Sequence, residues 1–322
     1  MGSVINKGSW DVFMVFDRSI CYIPGKTIIE EKNLRCTGDV IISDRSEVSR
    51  GVITEGRIFI GEFTTLKGDI ISIGDIRIDR GTRIRGNITG DSNVYLGERS
   101  KIKGELNVGR DLDIGEDVEI DPSTIESKGI VNIRNPISVI VYLFLYLLQL
   151  LKSDESEEVD RFFDELEEQD QEKFLISANF TYLPKGSRID SEGIQIPGNI
   201  RVGPKSQIVA NIESSGKVDI ENEVQLFGDI RCDGDVFVGE NVVINGSILS
   251  KKEVTIHHAA RIGGDVRGDI INITHDTITD GTLKAENGVR MLSEEKHTVE
   301  DKIERFEKGI DTLEGIMDEE IN

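Results

Sequence analysis

Four histidines are the residues here with the most chemical potential: His257, His258, His275 and His297. His257-His258 follows the apolar alternation Val254-x-Ile256, and His275 stands 18 residues after His257. Two imidazoles on successive turns of a repeat make a weak metal site at best, since a zinc centre needs three or four protein ligands. No third histidine falls in that register, so exposed corner residues are expected. Cys21, Cys36 and Cys232 are odd in number and lack CxxC spacing, which points to reduced thiols and away from a disulfide framework. Ile262-Gly-Gly-Asp-Val-Arg-Gly268 lacks the lysine of a phosphate loop, and its glycines read as turn residues at positive φ. The repeated Asp corners do not reproduce a calcium-binding nonapeptide. No nucleophile–base pair stands out. The expectation is no catalytic residue, no metal, no cofactor and no small-molecule substrate.

The elements that would position these residues are set by a repeat. Val40-x-Ile42, Ile58-x-Ile60, Ile76-x-Ile78, Val94-x-Leu96 and Leu112-x-Ile114 recur every 18 residues. A second column runs Val48, Leu66, Ile84, Ile102, Ile120, and a third Val52, Ile70, Ile88, Leu106. The pattern stops near Pro122 and resumes after residue 190, in columns led by Ile200, Ile208 and Ile194; its last coil slips by one residue, at Ile271-x-Ile273. Three columns with one period mean three short strands per coil, each turning alternate residues inward. The interior is then stacked hydrocarbon, with no room for a cofactor. A terminal coil exposes apolar surface and strand edges unless something covers it.

Two solenoids have 18-residue coils. The left-handed hexapeptide helix of acyltransferases needs a small residue four positions after each aliphatic one, and Ile88, Leu106 and Leu112 occupy such positions. What fits is [IV]-x-[IL]-G-x5-[IL]-x-G-[DN]-I, as in Val94-Tyr-Leu96-Gly97 with Ile102-Lys-Gly104-Glu-Leu106, and Val236-Phe-Val238-Gly239 with Ile244-Asn-Gly246-Ser-Ile248. In these coils the chain resembles the bactofilins, over residues 34–122 and 190–274. The resemblance implies right-handed parallel β-helices, here two in tandem, that associate end to end into filaments without nucleotide, often at the cytoplasmic face of the membrane. A trimeric hexapeptide-type transferase and a membrane-bound adaptor are the alternatives. The expected organisation is an N-terminal segment (1–33), a first β-helix (34–125), a hydrophobic and acidic helical insert (126–188), a second β-helix (189–284) and a C-terminal amphipathic helix (285–322).

The remaining segments suggest partners. After Pro136, the run Ile137 to Leu151 is too short to cross a bilayer as a helix but apolar over most of its circumference. Ile137, Ile140, Val141, Leu143, Phe144, Leu147, Leu148 and Leu151 are its candidate membrane or partner contacts. An acidic helix with Phe162 and Phe163 follows. Val299, Ile303, Phe306, Ile310, Leu313 and Met317 trace a short heptad seam. Candidate self-association residues are Val40 and Ile42 at one rod end, Ile271 and Ile273 at another, and Ile303, Phe306, Ile310 and Leu313 on the seam. A net charge of −22 repels phosphate backbones and argues against nucleic acid. Asp11 and Asp17 interrupt the only apolar stretch near the N-terminus, so a cytoplasmic location, at most at the inner membrane face, is expected.

Overall fold

The computed structural model describes residues 18–133 and 179–292. The described edges of the expected helical insert (126–188) and C-terminal helix (285–322) are strands instead, Val131–Ile133, Phe180–Leu183 and Val289–Leu292 among them, because they continue the coil stacking. Residues 134–178 and 293–322 lie outside the described residues, among which the only helix is the 3-10 turn Pro122–Thr124. The repeat regions fold as expected into a parallel β-solenoid with three strands per coil. Ile58, Ile76, Val94 and Leu112 stack in register along one ladder, and Ile200, Val218, Val236 and Val254 along its counterpart. Inward positions are almost completely buried aliphatic side chains, each contributing roughly 1.5–3 kcal/mol against exposure.

The two regions do not form separate rods. They share three sheets of 14, 11 and 12 strands, and the 14 stacked strands span about 60 Å at the usual inter-strand spacing of about 4.8 Å. The coil direction reverses once, in the middle. Strands Ile20–Ile23 and Ile28–Ile29 pair in parallel with Asn199–Val202 and Gln207–Ile208 of the second half. The chain then turns back, and Asn33–Cys36 runs antiparallel to Ile28–Ile29 and begins the first half. Reciprocally, Phe180–Leu183 and Arg188–Ile189 pair in parallel with Asp39–Ile42 and Glu47–Val48 of the first half. Gly193–Ile196 then runs antiparallel to Arg188–Ile189 and begins the second. Tyr22 opposite Tyr182 completes the third antiparallel pairing. Each half therefore covers the inner face of the other with its own first coil, and residues 20–33 are solenoid rather than a separate leading segment.

Buried polar groups fasten this junction. Arg50 is buried, and its guanidinium donates to the carbonyls of Asp190, Glu30 and Val209. Asp190 and Glu30 are equivalent residues of the two halves, related by an offset of 160 in number. The Asp190 carboxylate accepts the N–H groups of Glu192 and Gly193 (2.8 and 3.2 Å) and so shapes the reversing turn.

Elsewhere, two corner features explain the coil motif. The residue three after most strands of the 14-stranded sheet takes a left-handed conformation: Arg45, Phe63, Arg99, Lys205, Glu223, Asn241 and Ala259 among them, with φ between 52° and 61°. The motif glycines do something else, which corrects the expectation of positive φ. A Cβ on Gly86 would lie 2.3 Å from the Gly68 carbonyl oxygen, and one on Gly264 2.3 Å from Ser247 Oγ. These glycines allow coil-to-coil contact. The Asp or Asn that follows accepts a backbone N–H from the next coil, as Asp69 does from Asn87 and Asp229 from Ser247.

Candidate assembly interface

Because the inner faces are buried against each other, both ends of the rod formed by the described residues are the C-terminal coils of the two halves. The first consists of Val131–Ile133, Ile125–Ser127 and Lys101–Ile102, which are the outermost strands of the three sheets. Here the repeat lengthens by one residue, as Ile125 pairs with Leu106 across a step of 19. The extra residue is absorbed by Pro122–Thr124, with Pro122 in its first turn and Asp121 accepting the Ser123 N–H. The second end consists of Val289–Leu292, Ile278–Thr279 and Leu283–Ala285. It follows a coil shortened to 17, where Ile271 pairs with Val254. One coil inward, Leu112 and Ile271 are fully buried, whereas Ile130 and Ile133 are 73% and 68% exposed and Met291 is 61% exposed. Val131, Ile278 and Val289 add to the two apolar faces.

The residues expected at the ends are placed differently. Val40 and Ile42 are buried at the junction beneath Phe180–Leu183, not at an open end. Ile271 is buried, and Ile273 lies partly buried beneath Val289–Leu292. Ile303, Phe306, Ile310 and Leu313, and Ile137, Ile140, Val141, Leu143, Phe144, Leu147, Leu148 and Leu151, lie outside the described residues. The end residues escaped notice because the outermost coils are the ones that break the period. The exchanged coils did leave a signal: Tyr22-Ile-Pro24 and Tyr182-Leu-Pro184 match at the same offset of 160.

The histidines also fall differently. His257 packs on Phe237 (ring centroids 4.7 Å apart) and does not meet His275. The 17-residue step brings His275 beside His258 instead, with ring centroids 6.2 Å apart. His258 Nδ1 lies 3.1 Å from Asp276 Oδ1. His297 is outside the described residues. All three cysteines are buried free thiols, and burial pushes each thiol up, away from reactivity. No helix among the described residues is long and apolar enough to cross a membrane.

Residues 181–284 match the family described as Bactofilin: Polymer-forming cytoskeletal. Over this stretch the chain is similar to the bactofilins. The matched stretch begins in Phe180–Leu183, so the first coil of the bactofilin unit is the one that docks on the other half. No curated protein and no solved structure matches the chain.

Proposed function

We propose that this bactofilin-like chain is a structural scaffold, not an enzyme, and that it self-associates end to end through its two outer coils without nucleotide. Both halves then act as bactofilin domains in tandem, with the right-handed winding that the resemblance implies. The reading is carried by the contrast between the ends and the middle of the rod. The inner faces are covered by exchanged coils, while among the described residues no further strand pairs with the outer coils, beside Ile130, Ile133 and Met291. An open edge with apolar flanks is a template for another copy of the same coil. Because both ends are the same side of the coil, rods joined through them have no chain-direction polarity. The cytoskeletal description of the family supports a cytoplasmic place of action. A membrane surface reached through Ile137–Leu151 belongs to the same proposal.

Negative-stain electron microscopy of the purified chain, without nucleotide and across a salt series, tests this. Filaments or end-joined rods are expected. Ile133→Asp or Met291→Asp should limit assembly to pairs of rods, and the double variant should leave single rods, since both side chains are exposed on the outer coils. Uniform compact trimers insensitive to these changes would reject the reading and favour the transferase-type alternative.

A further inference from the structure

We propose that the corner formed by His258, His275 and Asp276 binds one divalent cation of the zinc class. The argument begins with geometry. One ligand atom from each residue lies within 4.8 Å of the others. Ligand atoms on one tetrahedral zinc ion sit about 3.3 Å apart, given metal–nitrogen distances of about 2.0–2.1 Å. His258 Nδ1 and Asp276 Oδ1 already meet this spacing at 3.1 Å. The remaining closure falls to His275, whose side chain is exposed and free to change rotamer without disturbing the core.

The carboxylate is also held in place. Asp276 Oδ1 accepts from the Thr274 hydroxyl (2.9 Å) and Oδ2 from the Ala259 N–H (3.0 Å). Outer contacts of this kind fix the orientation of a metal-binding carboxylate. Two imidazoles with one carboxylate suit zinc, cobalt, nickel or copper, and suit calcium or magnesium poorly. Three protein donors leave the rest of the coordination sphere to water. The donors come from two successive coils, so a bound ion would pin the outermost corner of the second half to the coil beneath it. Counting coils outward from the junction, the first half has Glu98, Glu116 and Asp117 in these positions, with no imidazole among them. The site is therefore confined to one end of the rod.

The test is a cobalt(II) titration of the full-length chain, free of any histidine tag, followed by visible absorption, with zinc(II) as competitor in calorimetry. One ion per chain is expected, with tetrahedral-type cobalt bands. His275→Ala should weaken binding about tenfold or more, on the scale of losing part of a metal's coordination shell. His257→Ala should bind like the parent, because His257 faces Phe237 and lies outside the cluster. Since His275 is exposed, its variant retains the fold, which circular dichroism checks. Absence of saturable binding at one ion per chain, or equal affinity in His275→Ala and the parent, overturns the proposal.

Discussion

The two halves of the rod are built on the same coil, and the contrast between them separates what stacking demands from what it leaves free. Aliphatic ladders, the close-contact glycines and the Asp or Asn corners recur in both. Gly68 and Gly86 have their counterparts in Gly228 and Gly246, each with a would-be Cβ within 2.4 Å of a carbon, nitrogen or oxygen of the neighbouring coil's backbone. These features cannot drift, because each coil's fit depends on the next. The corner column behind the left-handed residue does drift. In the first half it holds buried hydroxyls, Thr64, Thr82 and Ser100, each bonded to a carbonyl of the preceding coil. In the second half the same positions are Val224, Val242 and Ala260, equally buried. The junction is also asymmetric. Arg50 begins the glycine column of the first half, and Ala210 that of the second. Only where the coil direction reverses does the column accommodate a guanidinium.

That asymmetry gives the largest expected effect. Arg50→Met would leave the carbonyls of Asp190, Glu30 and Val209 without their donor inside the junction. Breaking a buried charged hydrogen-bond cluster typically costs about 3–5 kcal/mol. The expected result is a lower denaturant midpoint, with the junction opening before the outer coils in hydrogen exchange. The converse change, Ala210→Ser on the other half, should alter stability little. If Arg50→Met costs under about 1 kcal/mol, the two halves are held by their exchanged strands alone, and the comparison must be redrawn around Tyr22 and Tyr182.

Next in size is the turn that reverses the second half. Burial works against ionisation of Asp190, but the N–H groups of Glu192 and Gly193 and the Arg188 guanidinium outweigh it and hold the carboxyl below the usual aspartate value. A depressed folded pKa stabilises the fold above the unfolded value, near 3.9, and this contribution fades as pH falls through the folded one. Asp190→Asn should therefore cost about 1–2 kcal/mol at neutral pH, with the difference shrinking below about pH 4. Urea unfolding at pH 7 and at pH 3 checks this. A difference that stays constant with pH would assign the effect to shape and not to charge.

How much of this was legible in the sequence follows from the same contrast. The 18-residue ladders were readable because an inward column must be apolar at every coil. The family resemblance was readable because Gly97, Gly104, Gly239 and Gly246 sit at steric contacts that tolerate no side chain. The junction was hidden because its pairing is non-local: Phe180 lies 141 residues from Asp39, its strand partner, and nothing in the 18-residue period announces the exchange. The matching Tyr-[IL]-Pro at 22–24 and 182–184 announces it only once the offset of 160 is applied below residue 34. The His258–His275 encounter was missed for a similar reason. A constant step of 18 pairs His275 with His257, and the one-residue slip at Ile271 moves the partner by one position. End-face residues such as Ile133 and Met291 fall in coils of irregular length, where periodic reading loses register.

The smallest expected effect tests whether the drifting corner column matters at all. Thr82 donates its hydroxyl to the Gly61 carbonyl at 3.1 Å, while its counterpart Val242 makes the same turn with no hydroxyl. Valine is nearly isosteric with threonine, so Thr82→Val removes one hydrogen bond and adds apolar surface to a buried site. A net hydrogen bond contributes roughly 0.5–1.5 kcal/mol, and an added buried methyl offsets about that much. The expected change in unfolding free energy is therefore within about 1 kcal/mol of zero. Thr64→Val should behave alike, and the pair should be additive because the two sites occupy separate coils. A loss above about 2 kcal/mol would mean that the first half depends on its hydroxyl column in a way the second does not. The two halves would then share a coil but not the forces that close its corner.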